Sequence, residues 1–128
     1  MNTERMETSA ERELSAYRAE IRNMKAEDVD LESIERGILE HLKAVGREML
    51  AEAMGRADTV APEVDIEGKR WGNRRVQKAS YQGIFGTMEL ERSTYQRAGR
   101  GRVAVAMDLR LGIVEGALRR VGRGTKHR

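Results

Sequence analysis

The basic side chains in the second half of this sequence could bind phosphate groups, because each Lys or Arg that neutralises a phosphate releases condensed counterions. Nine of them lie between residues 69 and 102. They are Lys69, Arg70, Arg74, Arg75, Lys78, Arg92, Arg97, Arg100 and Arg102. The first five lie ahead of or on one predicted strand, and the other four lie on or after the next. Since these strands are expected to pair antiparallel, both groups can share one β-ribbon, and we predict that these residues bind DNA.

The acidic side chains form no comparable catalytic pattern. Two-metal phosphoryl transfer needs three carboxylates that converge on two ions about 4 Å apart. Residues 68–128 contain only Glu89, Glu91, Asp108 and Glu115, and the first two lie on one face of a predicted strand, as residues of a solvated surface do. The chain has no cysteine and only two histidines. We therefore expect no enzyme activity, no metal site, no cofactor and no small-molecule substrate.

Charge divides the chain into two halves. Residues 1–67 hold 9 Lys or Arg against 17 Asp or Glu, a net charge of −8, whereas residues 68–128 hold 15 against 4, a net charge of +11. A basic module of this kind usually binds a polyanion, most often nucleic acid. An alternative is that the 19 arginines reflect GC-rich coding DNA. That alternative does not explain why acidic residues are scarce in the second half.

Length and composition indicate a small protein with a limited core. Of 128 residues, 39% are apolar and 4% aromatic, so we expect one domain, or one small domain with a helical extension, of marginal stability. Small proteins with such a limited core often gain stability by self-association. The chain begins without an apolar signal segment and has no run near the roughly 20 apolar residues that cross a bilayer. The lack of cysteine fits a reducing compartment, and we expect a cytoplasmic protein that does not bind membranes.

Two helices are predicted in the acidic half. Residues 3–26 contain no Gly or Pro and many helix formers, although their apolar stripe is narrow. Over residues 31–54, apolar side chains recur at steps of three and four, which predicts an amphipathic helix. Its N-cap is expected at Asp28 or Asp30. His41, beside the apolar stripe, is interpreted as a structural residue of the helix flank.

The pattern changes from helical to extended after Pro62, the only proline of the chain. Residues 98–102 predict a flexible basic loop. The elements expected around it are strands at 64–66, 75–81 and 87–95, a turn at 67–69, and a short strand or helical turn within 103–114. Met88 and Leu90 are expected to face inward, since they alternate with acidic residues.

Together these elements predict an α+β fold. An N-terminal helical arm of one or two helices is followed by a small antiparallel β-hairpin or sheet module and a disordered basic tail. We expect an acidic helical arm at 1–58, a basic β-rich module at 63–116 and the tail at 117–128. The tail is basic, contains glycine and has few apolar residues, which is typical of disorder.

Three segments carry a resemblance to a known family. Residues 84–95, a Phe-Gly turn followed by an alternating strand and an Arg ahead of a Tyr, resemble a recurring hairpin of bacterial insertion-sequence transposases. Residues 107–116 contain Asp-Leu-Arg-Leu-Gly and resemble the Asp-x-x-Leu-Gly segment that follows in the Kra family of these transposases. The helix at 31–54 is similar to the helix that opens them. Together, the helix, the hairpin and the Leu-Gly segment cover about residues 28–116, in the same order as in the family.

The resemblance implies the N-terminal, non-catalytic region of a DDE-type transposase, which handles DNA at the ends of the element. Two features depart from the family. Relatives often carry two cysteines just after the Tyr, where this chain has Gln-Arg-Ala-Gly-Arg-Gly at 96–101. The chain also departs from the pattern after Gly116, and its Arg-rich end suggests a frameshifted or prematurely ended copy that stops before the catalytic domain.

Two further functions stay open. The helix at 31–54 could pair with a second copy, which would make the chain an oligomerisation or interaction module. The chain could also be an inert remnant of a decayed transposase gene. Trp71 and Tyr81 interleave with the basic residues, so they either stack on nucleic acid or, as the favoured interpretation, supply the aromatic residues of the core.

Overall fold

The computed structural model describes residues 7–97, 100–113 and 118–120 and has an α+β architecture. Its elements are α1 (Ser9–Arg22), a 3₁₀ turn (Ala26–Asp28), α2 (Leu31–Gly55), β1 (Val64–Ile66), β2 (Lys69–Gly83), β3 (Gly86–Arg97), β4 (Arg100–Val105), α3 (Ala106–Arg110) and β5 (Leu118–Arg120). The strands form one sheet in the order β4-β3-β2-β1-β5. The predicted fold class, helices followed by an antiparallel sheet, is confirmed.

Helix α1 begins at a residue whose side chain satisfies free backbone groups of its first turn. In α1, the Thr8 hydroxyl accepts from the Glu11 amide at 3.1 Å, and the Glu11 carboxylate accepts from the Thr8 amide at 2.9 Å, which forms a capping box. Helix α2 begins after Asp30, whose carbonyl accepts from the Ile34 amide at 3.0 Å. The predicted helix at 31–54 is confirmed. The predicted helix at 3–26 is shorter at both ends, because α1 begins at Ser9 after its N-cap Thr8 and ends at Arg22 with Asn23 as its C-cap; residues 3–6 lie outside the described part.

One compact unit contains the described residues up to Leu50 together with Gln82–Met88; we call it the helical unit. Helix α1 packs on α2 through Tyr17, whose ring stacks on His41 with centroids 4.6 Å apart. The Tyr17 hydroxyl donates to the Ile34 carbonyl at 3.4 Å. The same ring covers Gly37, where a β-carbon would overlap it. Glycine therefore permits this close approach, and His41 has the structural role that the sequence predicts.

The tip of the β2–β3 hairpin packs on α2 within this unit. A β-carbon at Gly46 would lie 2.8 Å from the Phe85 ring, so the ring occupies the space that a larger residue would need. Arg47 Nη1 donates to the Phe85 carbonyl at 2.7 Å. Gly86, which follows the turn, has φ 118°, a conformation that side-chain-bearing residues rarely adopt. The aromatic turn residue thus attaches the hairpin tip to the helix.

A second compact unit contains Ala51–Tyr81 and the described residues from Glu89 onward; we call it the sheet unit. Strands β1 and β2 pair antiparallel with Ile66 opposite Lys69. The two residues between them, Glu67 and Gly68, have φ 56° and 82°, as a type I′ hairpin turn requires. Asp65 Oδ1 accepts from the Gly68 amide at 2.8 Å. The predicted turn at 67–69 is therefore a two-residue turn, and Lys69 is already part of β2.

The core of the sheet unit combines apolar packing with buried hydrogen bonds. The cluster consists of Ala61, Val64, Ile66, Tyr95 and Ala106, with Trp71, Ala104 and Leu109 packed against it. The Tyr95 hydroxyl donates to the Ala61 carbonyl at 2.6 Å. Next to it, the Ser93 hydroxyl donates to the Thr59 carbonyl at 2.7 Å, and the Asp58 carboxylate accepts from the Ser93 amide at 3.1 Å. These bonds fix the segment after α2 against β3.

Two predictions about the second half are wrong in part. Residues 100–102 were expected in a flexible loop but belong to β4, which pairs with β3 as Thr94 opposite Val105 and Arg97 opposite Arg100. Residues 118–120, expected in a disordered tail, form β5 and pair antiparallel with β1. In each case a neighbouring strand supplies backbone partners that a local sequence pattern cannot reveal. The rest of the predicted tail, residues 117 and 121–128, lies outside the described residues.

Other expectations for the second half agree with the structure. The hairpin at 75–95 is present and its strands are longer, and 103–114 provides both the end of β4 and the short helix α3. Met88 is buried, whereas Glu89 and Glu91 are exposed. Over the described residues, no helix is both long and apolar enough to cross a membrane.

Candidate nucleic-acid interface

The nine predicted DNA-binding residues lie on three neighbouring strands. Lys69, Arg70, Arg74, Arg75 and Lys78 lie on β2, Arg92 and Arg97 on β3, and Arg100 and Arg102 on β4. These strands are adjacent in the order β4-β3-β2. The structure therefore brings the two groups of basic residues into one sheet, but it gives their side chains different surroundings.

Three of the nine bind neighbouring protein groups. Arg70 Nη1 lies 3.6 Å from Glu63 Oε1, with both side chains largely exposed. Arg74 Nε donates to the Ser93 hydroxyl at 2.9 Å and is half-buried. Arg92 is held most extensively, through contacts with three side chains. Arg74 and Arg92 thus support the sheet as well as contributing charge.

The surroundings of Arg92 explain why it is fixed. Its Nε and Nη2 donate to Gln77 Oε1 at 2.9 and 2.6 Å, and its Nη1 donates to the Tyr81 hydroxyl at 2.9 Å. Nη1 also lies 3.4 Å from Asp108 Oδ2, an ion pair whose side chains are only 21% and 14% exposed. The Tyr81 hydroxyl donates to Asp108 Oδ1 at 2.5 Å. Burial and this hydrogen bond raise the pKa of Tyr81 above its usual value, so the tyrosine stays neutral well into alkaline solution.

Six of the nine have exposed side chains: Lys69, Arg70, Arg75, Lys78, Arg97 and Arg102. They do not share one cavity. Lys78 lies beside Glu89 and Glu91, whose charges offset its own, whereas Arg75 and Arg102 line two separate depressions. The side chain of Arg100 lies outside the described part of the structure. Exposed guanidinium and ammonium groups on one sheet can reach phosphates that run along it.

Arg75 lies in a shallow groove of about 400 Å³ on the sheet. The groove crosses β2, β3 and β4 and is lined mostly by polar side chains, including Asn73, Gln77, Thr94 and Gln96. The DNA-binding residues predicted from the sequence are all basic and do not include the amides of Asn73, Gln77 and Gln96. The alternation of polar residues at positions 73, 75 and 77 is the signal that could have identified them, because alternate residues of a strand share a face.

A second cavity, of about 340 Å³, is mainly apolar and is lined by Ile66, Trp71, Leu109 and residues 102–105 of β4. Trp71 packs against the core cluster, and its buried Nε1 has no hydrogen-bond partner. Tyr81 is half-buried and bonded to Asp108. These surroundings agree with the favoured interpretation for Trp71, whereas Tyr81 lies outside the core cluster and bonds to Arg92 and Asp108.

The Uncharacterised protein family (UPF0236) has a sequence model that matches residues 24–128. This chain belongs to that family. The match begins after α1 and covers α2, the hairpin and all five strands, so the UPF0236 region includes every predicted DNA-binding residue. No curated protein and no solved structure matches the chain.

The described acidic and histidine side chains of this UPF0236 chain are dispersed. In the part that the structure describes, no three of them come close enough together to hold a metal ion. Asp108, the most enclosed of the described carboxylates in the basic half, is bonded to Tyr81 and Arg92. Its contacts are those of a structural residue that fixes α3 beside the hairpin.

Proposed function

We propose that this chain is a non-catalytic DNA-binding module, the N-terminal part of an insertion-sequence transposase that binds element-end DNA in the cytoplasm. The observation that carries the proposal is the exposure of six basic residues on three neighbouring strands, in the half of the chain that holds a net charge of +11. The resemblance of the helix, hairpin and Leu-Gly segments to such transposases supports it. In this role the chain itself catalyses no reaction step.

The physical basis is the match between this sheet and a duplex. A β-ribbon fits the major groove of B-DNA, and basic residues at its margins can hold the flanking phosphates. Lys69 lies next to the β1–β2 turn, while Arg97 lies at the end of β3, so charge is available at the ends of the strands as well as between them. Because phosphate contacts release counterions, affinity should fall steeply as salt rises.

Fluorescence anisotropy with labelled duplexes, over about 50 to 200 mM salt, tests the proposal. Replacing Lys69, Lys78 and Arg97 with Ala should make the salt slope shallower by up to about 2.7, at about 0.9 per lost phosphate contact. The matched control replaces three exposed basic residues of the helical unit, Arg18, Arg22 and Lys25, and changes net charge equally. It should bind almost as the unaltered chain does.

Two results would contradict the proposal. Equal weakening by the two triple variants would show that only total charge matters, and therefore that the sheet is not a specific interface. Absence of binding to every duplex at low salt would remove the DNA-binding function altogether.

A second candidate function is self-association through α2, which the exposed side of this helix favours. Leu31, Ile38, Leu42 and Met49 are 71%, 38%, 50% and 61% exposed, and with Val45 they follow the spacing of a heptad seam. Monomeric proteins rarely expose a contiguous apolar stripe of this kind. Tyr17 packs on a neighbouring face of α2, over Gly37 and His41, and leaves Leu31, Leu42 and Met49 exposed, so the stripe is available to a second copy.

Analytical ultracentrifugation over a concentration series tests this second function. The unaltered chain should form dimers as concentration rises, and Leu42→Lys should remain monomeric because it places a charge in the seam. Val60→Lys is the matched control, since Val60 is 78% exposed and lies outside α2. A monomeric unaltered chain at every concentration would contradict self-association.

A further inference from the structure

The amide-lined groove of β2–β4 has a more specific use than phosphate binding. We propose that it reads base edges in the major groove, with Asn73 recognising adenine and Arg75 recognising guanine. This inference rests on the proposed DNA-binding function and adds to it the chemical basis of sequence preference.

Residue types in the groove match the donors and acceptors of purine bases. In the major groove, adenine offers the N7 acceptor and the N6 donor, which the amide of Asn or Gln pairs with in a bidentate manner. Guanine offers two acceptors, O6 and N7, which the fork of an Arg side chain binds. Asn73, Arg75 and Gln77 line the groove at alternate positions of β2, and Arg75 and Asn73 are exposed.

Hydrogen bonds within the groove hold these side chains while leaving part of their capacity unused. Asn73 Nδ2 donates to Gln96 Oε1 at 3.0 Å, and Gln96 Nε2 donates to the Gly101 carbonyl at 3.1 Å. An Asn amide carries two N–H groups and one carbonyl, so Asn73 keeps one donor and its acceptor for a base. This remaining pair is what bidentate binding of adenine requires.

Gln77 is held in a different way. Its Oε1 accepts both hydrogen bonds from Arg92, so its free capacity is the donor side of the amide. A donor alone can bind a purine N7 or thymine O4 but cannot select one base. Gln77 is therefore a supporting contact, and the discrimination falls on Asn73 and Arg75.

The backbone at Asn73 supports a specific role for this residue. Asn73 has φ 54° although it lies within β2, and residues with a side chain seldom adopt this conformation inside a strand. Such conformations cluster at functional sites. Asn tolerates this conformation better than most residues, so position 73 can hold an amide where most side chains would be strained.

The spacing of the two residues predicts the spacing of the two bases. Two residues of an extended strand span about 6.8 Å, which equals about two steps of 3.4 Å along one DNA strand. Because Asn73 and Arg75 are two residues apart, a ribbon that follows the groove would place their bases two positions apart. The preferred site should therefore contain adenine and guanine at that separation.

Selection from a random duplex library, followed by anisotropy on the selected site, tests the inference. The unaltered chain should select adenine and guanine two positions apart and bind sites with either base changed about 5- to 150-fold more weakly. Asn73→Gly, which tolerates a positive φ, should lose only the adenine preference. Arg75→Lys keeps the charge but loses the fork, so it should lose the guanine preference with an unchanged salt slope.

The outcomes separate this inference from the proposed function. If both variants keep the full base preference of the unaltered chain, or if the unaltered chain binds all duplexes equally with a steep salt slope, base reading by the groove is wrong while DNA binding stands. If the unaltered chain binds no duplex, both proposals fail. Circular dichroism of each variant confirms that lost preference does not reflect lost structure.

Discussion

The helical unit and the sheet unit are stabilised by different means. In the helical unit, aromatic rings fill the space above glycines, as Tyr17 does at Gly37 and Phe85 at Gly46. In the sheet unit, polar groups are enclosed with their partners: Tyr95 and Ser93 are 0% exposed and donate to the carbonyls of Ala61 and Thr59. The first unit depends on shape and the second on satisfied hydrogen bonds.

This difference indicates which surfaces are available for binding. Ring-on-glycine packing uses two faces of α2, because Gly37 and Gly46 lie nine residues apart, and it leaves Leu31, Leu42 and Met49 exposed between them. In the sheet unit, the hydrogen-bonded core holds the strands together. The amides of the polar groove take no part in this core, so they stay at the surface. An apolar face in one unit and a polar, basic face in the other fit two different kinds of partner.

The largest effect is expected from Asp58→Ala. Both carboxylate oxygens lie 3.1 Å from the Ser93 amide and accept from it, so removal of the carboxylate leaves this buried donor unsatisfied. Urea unfolding should show a loss of about 3 kcal/mol in the free energy of unfolding. Asp58→Asn, which keeps one acceptor oxygen, should lose less. Equal stability of Asp58→Ala and the unaltered chain would mean that these hydrogen bonds do not stabilise the sheet unit.

A smaller effect is expected from Gly46→Ala in the helical unit. The added methyl group would lie 2.8 Å from the Phe85 ring, and overpacking costs about 1–3 kcal/mol, offset by about 1 kcal/mol of helix propensity. A net destabilisation of about 1 kcal/mol should appear in the same urea assay. At Gly55, the last residue of α2, an added methyl group meets nothing within 4 Å, so Gly55→Ala should be neutral or slightly stabilising. Similar behaviour of the two variants would refute close packing at Gly46.

The smallest effect is confined to alkaline solution and to the sheet unit. Burial raises the pKa of both Tyr81 and Tyr95, so as pH rises past the usual tyrosine value of about 10 the unfolded chain loses these protons first. The unfolded state then binds fewer protons than the folded state, and stability falls with rising pH. When the free energy of unfolding is measured at successive pH values above about 9, its decline should be shallower in Tyr95→Phe and in Tyr81→Phe. An unchanged decline in the double variant would exclude these tyrosines as its cause.

Elements with a long or regular pattern could be predicted from the sequence. Helix α2 shows apolar residues at steps of three and four over six turns or so, and the hairpin strands alternate on both sides of a glycine-containing turn. Strands β4 and β5 could not be predicted in the same way. Arg100–Gly101–Arg102 reads locally as a loop, and it belongs to a strand because β3 pairs at both of its ends, Arg97 with Arg100 and Gln96 with Val103.

The candidate site could be predicted only in part. The sequence identifies basic residues and the strands that carry them, and their contact with DNA stays a prediction. It could not show that Arg92 is engaged by Gln77, Tyr81 and Asp108, since these partners come from two other elements, β2 and α3. The side-chain surroundings of a charged residue depend on tertiary packing, whereas its presence on a strand depends on local pattern.

The attachment of Phe85 to α2 also has a consequence for how the chain folds. Arg47 and the Phe85 carbonyl that it binds are separated by 38 residues, a long-range contact for a unit made mainly of helices. Closing a loop of that length costs entropy before any contact compensates, and proteins rich in such contacts fold more slowly than simple helical bundles. During synthesis, α2 leaves the ribosome well before the hairpin does. The Gly46 side of the helix therefore stays uncovered until the turn at Phe85 has emerged and formed.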